Sequence, residues 1–236
     1  MPDQPTRRRF LATAATLAAL LSPRASATGG ASEPPSPAAK GRRRVPLPRP
    51  GPMLPPVPAI LTTVNGRPGE PDEISVLWTF VVNGDPPQVG VSAGDEHRAG
   101  PLIALHREFV LNVPVAAIVE GFDRVDMSSS RVADKFALAG LTRGRATVVN
   151  APTVEESPIQ VECRLTHTLR VPPVRTVYLA DVVAATVHEG VCDEKGRLRV
   201  AATEFFGMTA GSGEFYTMGR EVGHIGQTAG RSDIRY

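Results

Sequence analysis

The chain has 236 residues, of which 42% are hydrophobic and 21% charged, a balance typical of a globular protein with a filled core. Residues 1–56 hold nine Lys/Arg against two acids, a net charge of +7. Because the whole chain carries a net charge of +2, the remaining residues carry −5. The basic character therefore gives no indication of nucleic-acid binding by the folded part. No run of about 18 uninterrupted apolar residues is present, so we predict no membrane span.

An export signal is predicted at the N-terminus. Thr6-Arg7-Arg8-Arg9-Phe10-Leu11 fits the twin-arginine pattern of Ser/Thr, two arginines, any residue and Phe-Leu. The apolar run 11–21 suits the hydrophobic region of a signal peptide, and Ala25-Ser26-Ala27 is a small-x-small cleavage site. We predict a twin-arginine signal peptide over residues 1–27, periplasmic or other extracytoplasmic localisation, and a cofactor loaded before export.

Residues 28–56 are predicted to form a linker. They are rich in Pro, Gly, Ala and Ser and carry a basic group at Arg42-Arg43-Arg44. Such a segment buries too little apolar surface to offset the entropy of ordering it, and its prolines favour extended, polyproline-like chain. A Pro-rich motif that binds a partner is the alternative.

Short strands dominate the predicted elements of residues 57–236. Alternating apolar positions predict a strand over 73–83, apolar on both faces as in a barrel wall. Further strands are predicted at 58–65, 89–93, 109–113, 159–167 and 176–187, short helices at 101–106 and 115–122, a polar loop at 128–135, and a glycine-rich tail from Gly207. This pattern predicts a mainly β fold, an antiparallel barrel with a few short helices.

Cysteine and histidine spacing argues against a metal site. Cys163 and Cys192 form no CxxC motif and no cluster with the histidines, so no metal is predicted. A disulfide between the two cysteines stays open in an oxidising compartment. No G-x-G-x-x-G motif joins a strand to a helix, which excludes a Rossmann nicotinamide domain.

Five groups of motifs follow one another along residues 57–236. They are Thr62-Thr63-Val64-Asn65 with Pro71-Asp72-Glu73-Ile74 and Trp78; Asp85-Pro86-Pro87-Gln88-Val89 with Val91-Ser92; Glu108-Phe109-Val110-Leu111-Asn112-Val113; Ser130 with Asp134-Lys135-Phe136 and Gly140-Leu141; and Glu162-Cys163-Arg164-Leu165 with His167. In order and spacing they resemble the flavin-reductase-like family of FMN-binding split barrels, which includes flavoredoxin-like proteins. The resemblance implies an antiparallel split β-barrel, a homodimer and an FMN groove at the dimer interface.

The matching positions supply candidate FMN ligands. Lys135 offers a point charge for the phosphate, Ser130 a hydroxyl donor and Arg98 a second cation, helped by the amides of the helix at Pro101. Asp72 belongs to the same cofactor-binding set. The alternatives are solvated surface charges for Lys135 and Arg98, and a plain loop residue for Ser130.

The flavin ring needs an apolar slot. Trp78 offers a broad apolar contact, and the small Ser92 and Ala93 let the backbone approach the ring edge. His167 is the candidate catalytic residue: alternation from Ile159 predicts that it points to the apolar face of its strand, and the resemblance puts a histidine near the flavin. Phe206 is predicted to close over the ring. Core packing is the alternative for Trp78, His167 and Phe206.

Three functions fit these observations. The first is an FMN-dependent reductase that takes hydride from a nicotinamide cofactor or another small-molecule electron donor. The second is an exported redox carrier that binds FMN and exchanges electrons with a partner, which export favours because NAD(P)H is largely confined to the cytoplasm. The third is a split-barrel binding module without catalysis.

Overall fold

The computed structural model describes residues 46–49, 51–129 and 134–230. The elements described below belong to one compact unit of the chain, residues 49–236. The predicted signal peptide, most of the predicted linker and Ser130 lie outside the described residues.

This unit is mainly β, as predicted. Its strands are β1 (Val57–Pro58), β2 (Leu61–Val64), β3 (Glu73–Val76), β4 (Trp78–Gly84), β5 (Pro87–Gly94), β6 (Glu108–Val113), β7 (Arg143–Arg145), β8 (Pro152–Val154), β9 (Ile159–Val171), β10 (Arg175–Val187), β11 (Phe206–Met208) and β12 (Phe215–Thr217). Its α-helices are α1 (Ala99–His106), α2 (Val119–Met127), α3 (Lys135–Ala139) and α4 (Val200–Thr203), with 3-10 turns at Ala116–Ile118 and Gln227–Ala229.

A seven-stranded antiparallel sheet forms the barrel. Its strand order is β3-β2-β6-β9-β10-β5-β4, so β3 and β4 are the two edge strands. These edges are consecutive in the chain and only Leu77 separates them. The sheet must therefore curl until its two edges meet, which produces the antiparallel barrel that the sequence predicts.

The barrel interior is apolar and is closed at one end by α1. Val64, Leu77, Val91 and Phe109 line it and are at most 3% exposed, and α1 inserts Leu102 and Ile103 among them. α1 begins at Ala99, two residues before the predicted start, and ends at His106, because the next residue, Arg107, has a positive φ of 60°. Burial of these side chains is the main contribution to the stability of the barrel.

A second core lies between the outer face of β2–β3 and the C-terminal segment. Phe122 of α2, Phe206 of β11 and Phe215 of β12 meet edge to face, with ring centroids 5.3 to 5.6 Å apart. Phe206 is 5% exposed. Phe206 therefore packs in the core, which is the alternative that the sequence left open to its closing over a flavin ring.

Several element boundaries differ from the prediction. The strand predicted over 73–83 is interrupted at Leu77, which is 3% exposed. The loop predicted over 128–135 ends where α3 begins, because Asp134 accepts hydrogen bonds from the amides of Phe136 and Ala137 and caps the helix. The sequence predicts a loop from Gly207, but this segment continues β11 and contains β12. β11 pairs with β1 on one side and with β12 on the other, in a three-stranded sheet.

Both cysteines are free, so the disulfide left open above is not formed in this structure. Cys163 is buried, which raises the pKa of its thiol to about 12. Among the described residues no group of His, Cys, Asp or Glu has the arrangement of a metal site. Within the same residues, no helix has the length and hydrophobicity to cross a bilayer.

Candidate functional site

The outer face of β4, β5, β10 and β9 gathers three of the predicted ligands. Ser92 pairs with Trp78 on one side and with Val177 on the other, and Val177 pairs with Leu169. Cross-strand partners share a face, so these four side chains form one row across the sheet. The next row, two residues along each strand, consists of Phe80, Gly90, Leu179 and His167.

His167 lies on this face because β9 has a bulge. Leu179 pairs with His167 while Ala180 pairs with Leu165, which leaves Thr166 as an extra residue in β9. An extra residue shifts the alternation by one, so His167 and Leu165 point to opposite faces. The prediction that His167 shares the buried face of Ile159 and Leu165 is therefore wrong: Leu165 is 5% exposed in the barrel, whereas His167 is solvent-exposed.

The face is apolar, aromatic and open. Trp78 is 37% exposed, Phe80 42% and Leu169 58%. The ring of Phe80 lies over Gly90, where an added Cβ would overlap it. Contiguous exposed apolar surface of this kind marks a binding surface. We name these eight residues the sheet face: Trp78, Phe80, Gly90, Ser92, Leu169, Val177, Leu179 and His167.

Ala93 is not part of the sheet face. It is the next residue after Ser92 in β5, and its side chain points into the barrel, where it is 2% exposed. An added Cβ on Gly100 of α1 would lie 3.4 Å from the Ala93 methyl group. The small size of Ala93 therefore serves the packing of α1 against the sheet.

Ser92 also stands at the centre of Gly90-Val91-Ser92-Ala93-Gly94, the G-x-S-x-G spacing of a hydrolase nucleophile elbow. That motif works at a sharp turn between a strand and a helix, where it exposes the serine. All five residues here lie inside β5, and no hydrogen bond joins Ser92 to a histidine among the described residues. The geometry does not support a hydrolase.

The predicted cations come together at a buried carboxylate. Lys135 Nζ lies 3.2 Å from Glu73 Oε1, and Arg98 Nη1 lies 3.7 Å from Glu73 Oε2. Glu73 is 1% exposed and Lys135 5%, and Ser75 donates a hydrogen bond of 2.6 Å to Glu73 Oε1. Arg98 also donates to Glu70 Oε2 at 2.8 Å and to the Pro71 carbonyl at 2.9 Å. We name Glu73, Lys135 and Arg98 the charge cluster.

The charge cluster agrees with the prediction in one respect and differs in another. The sequence predicts that Lys135 and Arg98 approach one anion, and both contact Glu73. The surface-charge alternative for Lys135 is wrong, because its side chain is buried and paired. Sequence reasoning missed the role of Glu73, since an acid that alternates with apolar residues is usually solvent-exposed on a strand.

Asp72 contributes to the loop around the charge cluster. Its Oδ1 accepts a hydrogen bond from the amide of Gly66 at 3.2 Å, and its Oδ2 lies 3.5 Å from Arg143 Nε. Arg143 stacks over Phe136, with its guanidinium carbon 4.3 Å from the ring centroid. The hydrogen bond that Arg143 donates to Asp134 holds the pKa of the Asp134 carboxyl below its usual value. Asp72 therefore anchors the β2–β3 loop to the α3 region.

Comparison with known proteins places the chain in a family. Residues 54–203 match the family model of the flavin reductase like domain. Flavoredoxin of Desulfovibrio vulgaris (Miyazaki F) superposes with a TM-score of 0.73 at 23% identity, over 80% of this chain and 100% of that one. A flavoredoxin from Methanosarcina acetivorans gives 0.71 at 22% over 80% and 100%, and an FMN-binding protein from Thermus thermophilus gives 0.64 at 22% over 79% and 99%. These likenesses establish the split-barrel fold, and because the family model covers more than half of the sequence, the chain belongs to the family of flavin reductase like domains.

Proposed function

We propose that the protein binds FMN and is an oxidoreductase that transfers hydride or electrons through it. The observation that carries the proposal is the sheet face, an exposed aromatic and apolar surface that contains one small serine and one histidine. Family membership and the FMN-binding protein of Thermus thermophilus, whose structure shares the fold, support the choice of ligand.

The residues fit the two ends of FMN differently. Trp78 and Phe80 give the flat ring an apolar surface. Ser92 lies beside Trp78 in β5, and its small side chain adds little bulk. Lys135 and Arg98 carry the right charge for the phosphate, but Glu73 already neutralises part of it. A phosphate at the charge cluster must therefore share the two cations with Glu73.

When bound, FMN supplies the redox chemistry, and the protein supplies position and access. The sheet face excludes water from one side of the ring and fixes its orientation. His167 offers a hydrogen-bond donor at the edge of that face, which is the role we assign to the candidate catalytic residue. No side chain of the sheet face needs to act as a nucleophile.

We also propose that a second copy of the chain covers the sheet face and completes the site. Trp78, Phe80 and Leu169 leave neighbouring apolar surface in water, and contiguous exposed apolar surface marks an interaction site. A homodimer removes this surface from water and encloses the cofactor. Sedimentation of the FMN-loaded protein should give the mass of two chains, and a monomer at micromolar concentration would contradict this part of the proposal.

The twin-arginine pattern at residues 6–11 supports the proposal that the FMN-loaded protein is exported. An exported protein meets little NAD(P)H, which favours the redox-carrier function over a nicotinamide-dependent reductase. Replacing Arg7 and Arg8 by lysine should abolish export, and undiminished extracytoplasmic protein would refute the signal assignment.

The absorbance spectrum of protein purified from the cytoplasm tests FMN binding. A flavin spectrum with one FMN per chain supports the proposal, and a colourless protein that takes up no added FMN favours a binding module without catalysis. Anaerobic addition of NADH or NADPH then separates the two redox functions, because rapid bleaching indicates a reductase and a stable spectrum indicates a carrier. Lys135→Met should weaken binding of FMN more than of riboflavin, which lacks the phosphate; equal weakening would place the phosphate elsewhere.

A further inference from the structure

A groove of about 1220 Å³ lies on the C-terminal part of the barrel unit, away from the residues assigned above. Its lining residues come from 55–56, 198–202, 207–209 and 216–223. The family match ends at residue 203, so most of this lining lies outside the matched segment. The groove is therefore built largely by the C-terminal segment that follows the matched domain.

The groove has the size of a small-molecule site and a flexible apolar lining. Ligand pockets usually measure about 300–1,000 Å³, and this groove is slightly larger. Leu198, Tyr216 and Met218 line it and are 49%, 61% and 51% exposed. Met208 and Met218 add flexible, polarisable thioether groups that adapt to an alkyl chain. Apolar side chains exposed around one concave surface indicate that the surface receives a ligand.

Two guanidinium groups stand at this groove. Arg199 and Arg220 line it, and within the described part of the chain neither side chain forms an ion pair. The backbone of Arg199 is held firmly, because its amide donates to the Val191 carbonyl at 2.8 Å and its carbonyl accepts from Thr203 Oγ1 at 2.9 Å. Glu221 is the one acid in the lining, so cations outnumber anions by two to one.

We propose that this groove binds an aliphatic monocarboxylate of medium chain length. The alkyl chain occupies the surface formed by Leu198, Tyr216 and Met218, and the carboxylate accepts hydrogen bonds from Arg199 and Arg220. Guanidinium groups match the planar geometry of a carboxylate and form stronger hydrogen bonds with it than neutral donors do. This site is independent of the proposed FMN site.

Calorimetric titration of the full chain with decanoate and with decan-1-ol tests the proposal. Decanoate should bind saturably and at least about tenfold more tightly than the alcohol, since charge-assisted hydrogen bonds favour the acid. Arg199→Gln/Arg220→Gln should remove that preference while the FMN content stays unchanged. The control Arg124→Gln/Arg145→Gln changes the net charge equally at sites outside the groove and should bind decanoate like the wild type.

Three results would overturn the proposal: no decanoate binding, equal affinity for acid and alcohol, or undiminished binding in Arg199→Gln/Arg220→Gln. Met218→Lys tests whether a second copy of the chain, and not a small molecule, occupies the groove. If this variant halves the molecular mass in sedimentation and the wild type binds no decanoate, the groove is an interface between copies. Loss of decanoate binding at unchanged mass supports the ligand site.

Discussion

Lys135→Met tests whether the charge cluster is a stability element of the barrel. The substitution keeps an unbranched side chain of similar length but removes the ammonium group that lies 3.2 Å from Glu73 Oε1. Glu73 is 1% exposed, so water cannot replace the lost partner. Removing one member of a buried ion pair typically costs about 3–5 kcal/mol, because the other charge is left unpaired.

The expected loss is near the lower limit, about 3 kcal/mol of unfolding free energy. Arg98 still faces the other carboxylate oxygen at 3.7 Å, and Ser75 still donates to Glu73. That loss is a large share of the roughly 5–15 kcal/mol by which a domain is stable. Urea denaturation followed by circular dichroism measures it, with Arg124→Met as control. Arg124 forms an exposed i, i+4 pair with Glu120, and its loss should cost about 0.5 kcal/mol or less.

A double-mutant cycle with Glu73→Gln separates the pair from general damage to the core. If Lys135 and Glu73 interact as the structure indicates, the double variant should be more stable than the sum of the single losses predicts, by about 2 kcal/mol. Additive losses, or a Lys135→Met loss below about 1 kcal/mol, would show that the pair does not contribute.

Three further predictions concern other parts of the molecule. Glu162 accepts four hydrogen bonds from residues 147–149; burial opposes its charge, but these bonds together hold its pKa below the usual value. Glu162→Gln should therefore lower the unfolding free energy by about 3 kcal/mol at neutral pH. This loss should shrink as pH falls through the lowered pKa, because the wild type then loses the same charge. A loss that does not change with pH in urea titrations would contradict this prediction. Gly90→Ala should displace the ring of Phe80 and weaken FMN and riboflavin binding equally, as fluorescence titration can show, whereas a phosphate-dependent loss would place the effect elsewhere. His167→Gln should change the unfolding free energy by no more than about 0.5 kcal/mol because the side chain is exposed, yet shift the flavin midpoint potential if it contacts the ring; an unchanged potential would leave His167 without a redox role.

The sequence predicts the barrel well because its strands alternate clearly. In β10, Tyr178 and Ala180 alternate with more exposed neighbours, as in a wall with one face in the core, whereas β6 is buried on both faces. Helix α1 is predicted to within two residues. The break at Leu77 is not predictable, because the alternation continues through it on both faces. It depends on closure of the sheet, which is a property of the whole fold.

The candidate site is less predictable for two physical reasons. The bulge at Thr166 has no glycine or proline to mark it, and a shift of one residue reverses the face of every later side chain in β9. The charge cluster joins β3, α1 and α3, which are distant in sequence. Helix α3 has five residues, too few to show a repeating helical pattern of apolar positions. Only its cap at Asp134 is visible in the sequence.

One short segment connects the sheet face to the charge cluster. Ser92 and Arg98 are six residues apart, so their Cα atoms lie within about 20 Å of each other. Asp95 lies between them and is tied to the β9–β10 hairpin, because its amide donates to the Val174 carbonyl at 2.9 Å. Its carboxylate accepts a hydrogen bond from Arg170, which holds the pKa of Asp95 below the usual value. A ligand with a flat ring and an anionic end requires a fixed spacing between two such regions.

Asp95→Asn should therefore affect FMN binding more than folding. The pair with Arg170 is exposed and screened by water, so its loss should change the melting temperature little. The segment between Ser92 and Arg98 loses an anchor, and we expect the FMN dissociation constant to rise several-fold while that of riboflavin changes less. Asp193→Asn weakens a partly exposed aspartate–arginine pair with Arg197, outside the segment that joins the two regions, and is the control. An Asp95→Asn variant that binds FMN as tightly as this control would mean that the two regions do not act on one ligand.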